Sequence, residues 1–452
     1  MNASKGFITI LSVLLAWIVY YLFQPALNFF LGGGFLFISF LIIVAAANIC
    51  MYASSEENDG APFMMLIPII ILLLVIGIII AFSGSSIFNS QKMYTQIGEI
   101  KEKSFTGDIV EIDNSQIPIV DVKLAENLAD KKIGEKKALG SMVELGNFDN
   151  KQSINGKLYY VIPLEFSGFF KWYQNSAEGT PGFIMVSATN TSNAKFVQEV
   201  NGESLHLRYM ENACFSQNLK RHLRSNGLRN EGLTEYTFEL DDDLNPHWVV
   251  TIFKNTAGFS LPEATGVAIC DPQSGKVETY SIEDTPEWVD IIQPETFIKD
   301  QLENYGEYPH GWWNPSDTDK LKITKHMTTV FFDGDCWCYT GMSSYGKDNS
   351  TVGFIMVNSR NKKTKFYKMA GATESAAMKS VQGQIQEKNY KSTVPIPINV
   401  SGIPTFFMTL KDEAGLIKKY GMVNIEDYNI VAVKDSIDKT KRAYITAVNE
   451  AG

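Results

Sequence analysis

The chain has 452 residues, roughly three times the length of an average domain, with 45% apolar and 20% charged residues. These proportions exclude a wholly disordered chain and allow a sizeable buried core. The net charge is −10, of which −2 belongs to residues 1–90 (one lysine, three acidic residues) and −8 to residues 91–452, and this acidic balance argues against nucleic acid or anionic lipid as a partner of the bulk domain.

Three uncharged apolar runs, at residues 7–23, 29–52 and 63–82, open the chain. Each has close to the ~20 residues that a helix needs to cross a bilayer, so we expect residues 1–83 to form an anchor of three transmembrane helices. The first run is longer than the apolar part of a typical signal peptide, so we expect it to be retained. Pro25, in the short stretch between the first two runs, predicts an antiparallel helical hairpin.

Three spans place the N-terminus and the large domain on opposite sides of a plasma membrane. Lys5 and the terminal amine favour a cytoplasmic N-terminus, whereas Lys92, Lys101 and Lys103 follow the third run, so the charge rule does not decide between the orientations. The few cysteines and the Asn/Ser/Thr-rich loops favour an extracytoplasmic large domain, and we adopt that orientation as the expectation.

Residues 84–157 form a predicted connector between the anchor and the main domain. Leu124, Leu128 and Ile133 are spaced among alternating lysines and glutamates, a pattern that predicts a surface helix within 122–145. No core of its own is evident in this stretch, so we expect the helix to have a structural rather than a chemical role.

From residue 158 onward, short β-runs alternate with turns, and one segment repeats. Gly-Phe-Ile-Met-Val occurs twice, each time followed by an Asn-containing turn, a Lys-Phe pair, a helix-like segment and further strands; a chance match between two buried strands is the alternative. The repeats lie at 182–186 and 353–357, and the helix-like segments at 210–224 and 373–387. We therefore expect an α+β fold, a tandem duplicated domain of antiparallel sheets plus helices, with units at 158–290 and 328–434, an aromatic-rich junction at 291–327 and a C-terminal tail at 435–452.

The second half of the first unit resembles a PepSY region. Residues 248–252 form a strand-like run, and at 266–277 a hairpin turns through Asp-Pro-Gln-Ser-Gly-Lys, similar to the PepSY sequence Asp-x-x-(Ser/Thr)-Gly-(Lys/Glu). Residues 98–433 more broadly resemble an uncharacterised family of bacterial, mostly Gram-positive, multi-pass membrane proteins with a PepSY-like C-terminal region. The stretches that carry this resemblance are 113–121, 168–172, 286–290, 305–314, 340–357 and 404–431. The resemblance implies the same architecture and, because that family has no established activity, no functional residues.

The five cysteines are too few for a disulfide framework. Cys336 and Cys338 flank Trp337, and residues two apart on a strand face the same side. No histidine lies at a metal-type spacing from this pair, so buried apolar thiols are favoured over a metal or redox site. We expect neither a metal site nor a cofactor.

The most unusual cluster of side chains lies in and just before the junction, at 286–290 (Pro-Glu-Trp-Val-Asp) and 308–315 (Tyr-Pro-His-Gly-Trp-Trp-Asn-Pro). Aromatic rings between Gly and Pro could stack on sugar rings or hold a peptide, while the polar groups fix its orientation. The candidate ligand contacts are Trp288, Asp290, His310, Trp312, Trp313 and Asn314. The interpretation that we favour is that the three tryptophans, Trp288, Trp312 and Trp313, pack at or beside the boundary between the two units.

No familiar catalytic motif occurs: the chain has no Gly-x-Ser-x-Gly, no His-Glu-x-x-His and no P-loop. We therefore expect a membrane-anchored, extracytoplasmic binding or interaction protein of the bacterial envelope without catalytic activity, whose partners are the lipid bilayer and a peptide, a cell-wall component or another membrane protein. One alternative is an envelope hydrolase with its acid and base drawn from Asp290, His310 and Glu287. Another is a scaffold that faces the cytoplasm.

Overall fold

The computed structural model describes residues 2–53, 64–111, 113–136, 139–148, 151–332, 334–346, 350–385 and 389–451. Three apolar helices lead the chain: α1 (Asn2–Phe23), α2 (Gly32–Ala53) and α3 (Leu66–Ser83). Each is long and apolar enough to cross a membrane, with mean hydropathies of 2.2, 2.4 and 3.2 over the candidate spans. The three predicted apolar helices are confirmed; the first residue of the third predicted run lies outside the described residues.

All three helices meet the rest of the protein at one end. In the α1–α2 turn, the Leu27 amide donates to the Arg229 carbonyl at 2.7 Å. Helix α3 runs on through Gly84 into α4 (Ser86–Thr95), which packs on α9 (Glu295–Glu307) through stacked Tyr94 and Tyr305 rings with centroids 5.0 Å apart. The opposite ends of the helices therefore point away from the large domain.

The first half of the large domain consists of two larger antiparallel sheets and a two-stranded one formed by β7 (Glu199–Val200) and β8 (Glu203–Ser204). One larger sheet has the order β2-β4-β5-β6, with β3 also paired to β4, and the other the order β9-β10-β11-β12. Trp248, Phe183 and Tyr160 are fully buried in the core of this half. The elements are β2 (Val143–Leu145), β3 (Lys151–Ile154), β4 (Lys157–Phe166), α7 (Phe169–Asn175), β5 (Phe183–Ser187), β6 (Ala194–Val197), β7 (Glu199–Val200), β8 (Glu203–Ser204), α8 (Leu219–Ser225), β9 (Gly232–Leu240), β10 (Pro246–Ala257), β11 (Ser260–Cys270) and β12 (Val277–Ser281).

The second half again consists of two sheets and their helices. One sheet has the order β1-β16-β15-β14-β13, in which β1 is Ile100–Lys103, and the other has the order β17-β19-β20-β21 with β18 paired to β19. The elements are β13 (Leu321–Phe332), β14 (Asp335–Ser344), β15 (Ser350–Asn358), β16 (Thr364–Ala372), α10 (Glu374–Gly383), β17 (Lys391–Ser392), β18 (Ile396–Val400), β19 (Ile403–Lys411), β20 (Ile417–Asn424), β21 (Val431–Lys434) and α11 (Ile437–Ala451). The predicted α+β class is confirmed.

The repeated pentapeptide occupies the same kind of position in both halves. Its two copies lie on β5, with Gly182 just before the strand, and on β15; both strands are central and pair antiparallel on either side. Met185 pairs with Lys195 on β6, and Met356 pairs with Lys365 on β16. The sheet order around each copy is also the same, since β4-β5-β6 corresponds to β14-β15-β16.

The predicted connector does not form a separate segment. Strand β1 (Ile100–Lys103) pairs in parallel with β16, and the short helix α5 (Phe105–Asp108) buries Phe105 in the core of the second half. Helix α6 (Val122–Gly134), capped by the Asp121 side chain, covers β5 and β6 of the first half with its apolar face. It ends at Gly134 and not at 145, because 143–145 joins a sheet as β2.

Two other elements differ from the sequence prediction. The predicted helix at 210–224 is limited to α8, because the Met210 amide donates to the Gln217 carbonyl and the Met210 carbonyl accepts from the Leu219 amide, which closes a loop instead of a helical ladder. Residues 435–452, predicted as a tail, contain α11, whose Tyr444 is fully buried and accepts a hydrogen bond from Thr405 Oγ1 at 2.9 Å. This helix is therefore part of the second half.

Cys336 and Cys338 are unpaired, buried thiols, as predicted.

Candidate functional site

A cleft of about 1010 Å³ lies where the two halves meet. The turns β3–β4 and β5–β6 of the first half form one wall. The other wall consists of the end of β13, Gly334, the start of β18 and five residues that precede α6: Asp108, Val110, Glu111, Gln116 and Pro118. Aromatic rings and amide side chains share its lining: Tyr159, Phe331, Phe332, Asn155, Asn190 and Asn193. Such a mixture suits a ligand that has both apolar groups and hydrogen-bonding groups.

Local sequence explains how the turns reach this cleft. The two residues between β3 and β4 are Asn155 and Gly156, both with positive φ (51° and 71°), which is the backbone of the tight hairpin turn that Asn-Gly favours. In the β5–β6 turn, Asn190 Oδ1 accepts from the Ser192 amide at 2.9 Å. Both turns thus have defined backbone conformations, and their asparagine side chains line the cleft.

A charged group in the cleft is already paired. Asp108 Oδ2 accepts hydrogen bonds from Lys365 Nζ at 2.8 Å and from the Tyr367 hydroxyl at 2.6 Å. Burial acts to raise the pKa of Asp108, but these two bonds outweigh it and the pKa is lowered. The Lys365 ammonium also lies 4.6 Å from the ring centroid of Phe332. The wall around Phe332 is therefore pre-organised.

One strand at the cleft has an open edge. Among the described residues, β18 pairs along one side with β19, and on its other side it makes a single parallel bridge, between Asn399 and Glu111. Its first three residues, 396–398, line the cleft. An extended chain can add to such an edge through main-chain hydrogen bonds, although Pro397 supplies no donor.

A second, smaller cavity of about 350 Å³ is lined by two carboxyl groups, the buried Glu239 and the half-buried Asp290. Glu239 is 4% exposed; its Oε1 accepts from Thr237 Oγ1 at 2.7 Å and its Oε2 from the Asp290 amide at 3.1 Å. Asp290 Oδ2 accepts from the Ser153 amide at 2.7 Å. The backbone amide of Asp290 therefore binds the Glu239 carboxyl group directly, which places the two acidic residues next to each other.

Burial and repulsion shift both carboxyl groups toward the neutral form. Burial, together with the charge of Asp290, raises the pKa of Glu239 to about 8. Burial and the charge of Asp335 raise the pKa of Asp290 to about 7. Lys151, which lines the same cavity, has its pKa lowered by burial. Carboxyl groups with near-neutral pKa values can donate or accept a proton at physiological pH.

The residues of the predicted ligand cluster have separate partners. Asp290 lines the small cavity, and Trp288 is half-buried with its ring stacked on His247, the centroids 5.0 Å apart. His310 Nε2 lies 2.8 Å from Asp319 Oδ2 on the surface, and Asn314 Nδ2 donates to the Thr318 carbonyl at 2.8 Å. Glu287, the third residue of the hydrolase alternative, is exposed.

Trp312 and Trp313 do not fill the boundary between the halves. They are 50% and 70% exposed and contact each other edge to face, with centroids 5.3 Å apart. Gly311 lies beside Ser90 of helix α4, which directly follows the third apolar helix. The prediction that this pair packs in the boundary is therefore wrong, because its loop follows α9 to the end of the domain that carries the apolar helices. A ligand contact by the pair stays a prediction.

Another exposed aromatic group surrounds helix α7. Phe169, Phe170 and Tyr173 are exposed, and Phe215 joins them through edge contact with Phe169. Large apolar groups gathered on a surface commonly mark a contact with a partner. The stretch Gly-Phe-Phe-Lys-Trp signals this group in the sequence, since three aromatic residues in four exceed what one buried face of a short helix accepts.

Comparison of the chain with protein-family models, curated proteins and solved structures gives no match. Among the described residues, no group of three or more His, Cys, Asp or Glu side chains is arranged to hold a metal ion.

The sequence interpretation missed Glu239, Asp108 and Lys365. The alternation of Tyr236, Phe238 and Leu240 in β9 predicts that Glu239 lies on a polar, solvent-facing side, so nothing in the sequence indicated its burial.

Proposed function

We propose that the chain is a multi-pass membrane protein whose large domain lies outside the cytoplasm and binds an extended peptide or a cell-wall fragment in the cleft between its halves, without catalysing a reaction. The cleft itself carries this proposal: it combines aromatic rings, amide groups and an open strand edge in one space of about 1010 Å³. Its carboxylate Asp108 is already held by a lysine and a tyrosine, which favours a positioning role over proton transfer.

We also propose that the two halves arose by duplication of a PepSY-like unit. The identical pentapeptide, the equal pairing of Met185–Lys195 and Met356–Lys365, and the corresponding sheet orders support this origin. A duplicated unit makes a cleft between its copies a natural place for a ligand, because each copy contributes a wall.

A matched pair of variants tests the binding proposal. Thr189→Trp places an indole in the cleft, whereas Thr191→Trp places the same group on the exposed side of the same turn. The full chain in detergent is incubated with peptidoglycan fragments from a muramidase digest and with a library of extended peptides. We expect retention of one class by the wild type and by Thr191→Trp, and loss with Thr189→Trp. Equal retention by both variants contradicts binding in the cleft.

The orientation has its own test. Ser192→Cys is exposed on the large domain, and Ser4→Cys lies near the N-terminus on the opposite side of the apolar helices. We expect a membrane-impermeant maleimide to label the first variant in intact cells and the second only after permeabilisation. The reverse result identifies the cytoplasm-facing scaffold, which is the alternative that topology alone separates from an envelope protein.

A second candidate function rests on the small cavity. Glu239 and Asp290 have pKa values near neutrality, as a hydrolase needs for its acid and base. This alternative retains Asp290 but not His310 and Glu287, which lie on the surface with no contact to it. Hydrolysis of peptidoglycan fragments by the wild type, abolished by Asp290→Asn, would favour the enzyme over the binding protein.

A further inference from the structure

A groove of about 760 Å³ lies where helices α1 and α2 meet the first half of the large domain. One wall consists of apolar side chains of the two helices, including Val19, Leu36 and Phe40, and the other includes Lys220 and Arg224 of α8. Leu36 is 69% exposed, so the groove opens toward the surface that would face lipid. It therefore joins an apolar surface to two cationic groups.

Arg224 is a buried cation with unused bonding capacity. It is 5% exposed, and its Nη1 donates to the carbonyls of Leu228 at 2.5 Å and Glu231 at 2.6 Å. Its Nε has no hydrogen-bond partner among the described residues. A buried guanidinium that lacks a bond carries a desolvation cost, which an anionic oxygen in the groove would offset.

The helix that carries Arg224 is basic, although the large domain as a whole is acidic and Glu231 lies near Arg224. Helix α8 carries Lys220, Arg221 and Arg224 and no acidic residue. Lys220 Nζ donates to the Phe23 carbonyl at 3.1 Å, at the end of α1 where a spanning helix reaches the headgroup layer. The net charge is a sum over the whole domain, but a bound group interacts mainly with the charges that lie within a Debye length of it.

Two glycines leave the groove open. Gly32 and Gly33 line it at the start of α2, and a Cβ at either position would meet no atom within 4 Å. The adjacent Gly34 is different, because its Cβ would lie 2.3 Å or less from the carbonyls of Ala26 and Asn28. The turn therefore requires a residue without a Cβ only at Gly34, and the space beside Gly32 and Gly33 remains available to a ligand.

We propose that this groove is a binding site for one anionic phospholipid, with the phosphate between Arg224 and Lys220 and the acyl chains along Leu36 and Phe40. The occupant is a lipid and not free phosphate, because an inorganic ion would leave the apolar wall in contact with water. The inference rests on the proposed insertion of the three helices in a bilayer. It adds a specific headgroup contact that fixes the large domain against the membrane surface.

The test uses the full chain, purified in detergent and examined by native mass spectrometry with added phosphatidylglycerol or phosphatidylcholine. We expect the wild type to retain one phosphatidylglycerol in preference to phosphatidylcholine. Lys220→Gln and Arg224→Gln should each weaken that retention about fivefold, the factor typical of one basic side chain near an anionic membrane. The matched control is Lys254→Gln, an exposed lysine that does not line the groove and whose loss should change nothing.

Gly33→Leu tests the same site without removing a charge. Its side chain enters open space, so folding should be kept while both lipids are excluded. Equal retention of the two lipids by the wild type, or unchanged retention in Gly33→Leu, overturns the proposal. Displacement of the lipid by glycerol 1-phosphate at an equal concentration would also overturn it, in favour of a soluble phosphate. Carbonate extraction of the same membranes reports on insertion separately, so a missing lipid site is distinguishable from a missing anchor.

Discussion

Replacing Glu239 by Gln should make the folded protein less sensitive to alkaline pH. The carboxyl group is almost completely buried, and its pKa is raised from 4.5 to about 8 by burial and by the charge of Asp290. The folded state therefore holds the proton more tightly than the unfolded state. The resulting stabilisation is complete below pH 4.5 and is lost as the pH rises through 8.

The size of the effect follows from the two pKa values. A change from 4.5 to about 8 corresponds to a loss of about 5 kcal/mol across that interval. Glutamine does not titrate, but its side-chain NH₂ group would lie against one of two hydrogen-bond donors, the Thr237 hydroxyl or the Asp290 backbone N–H. This mismatch should cost about 1 to 3 kcal/mol of stability at every pH. The variant should thus be the less stable protein at pH 4.5 and the more stable one at pH 9, by roughly 2 kcal/mol or more.

Thermal unfolding of the full chain in detergent, followed by circular dichroism at several pH values, measures this crossover. At about 2 °C per kcal/mol, the variant should melt about 4 °C or more above the wild type at pH 9. Glu287→Gln, an exposed carboxyl three residues from Asp290, is the matched control and should follow the wild type at every pH. A constant difference between Glu239→Gln and the wild type from pH 5 to 9 would refute the reasoning.

Three further results are expected, each by thermal unfolding of the full chain in detergent. Trp248→Ala removes a fully buried side chain and should cost ~3 to 5 kcal/mol, whereas Trp313→Ala, at an exposed position, should leave the Tm within about 1 °C; equal losses would contradict the burial that separates them. Gly258→Ala should lower the Tm by about 4 °C or more, because φ is +54° at Gly258 and a Cβ there would lie 2.0 Å from the Ile80 carbonyl oxygen. An unchanged Tm would mean that the third apolar helix does not dock on the β10–β11 turn. Asp108→Asn should lower the free energy of unfolding by about 1 kcal/mol at neutral pH. Because the pKa of the Asp108 carboxyl is lowered in the folded state, this loss should shrink as the pH falls through that folded-state pKa. A loss that grows on acidification would be inconsistent with the pairing of Asp108 and Lys365.

The sequence by itself determined the features that depend on local pattern. Three uncharged runs predicted three apolar helices, because a long uninterrupted apolar segment has few alternatives to a helix in lipid. The alternation and turn residues after 158 predicted antiparallel strands, and both copies of the pentapeptide lie on strands. The burial of Cys336 and Cys338 followed in the same way from their place on an apolar strand.

Only the tertiary structure decided which distant residues meet. Strand β1 pairs with β16 although a connector was expected, and a parallel pairing between distant segments has no local signature. Asp290 faces Glu239 from 51 residues away, and Lys365 reaches Asp108 across 257, whereas His310 and Trp313, close to Asp290 in sequence, lie elsewhere on the surface. Nearness along the chain indicated one site in residues 286–315. Packing of α9 against α4 divided that stretch, because the burial of apolar faces and not sequence proximity sets where a connecting segment runs.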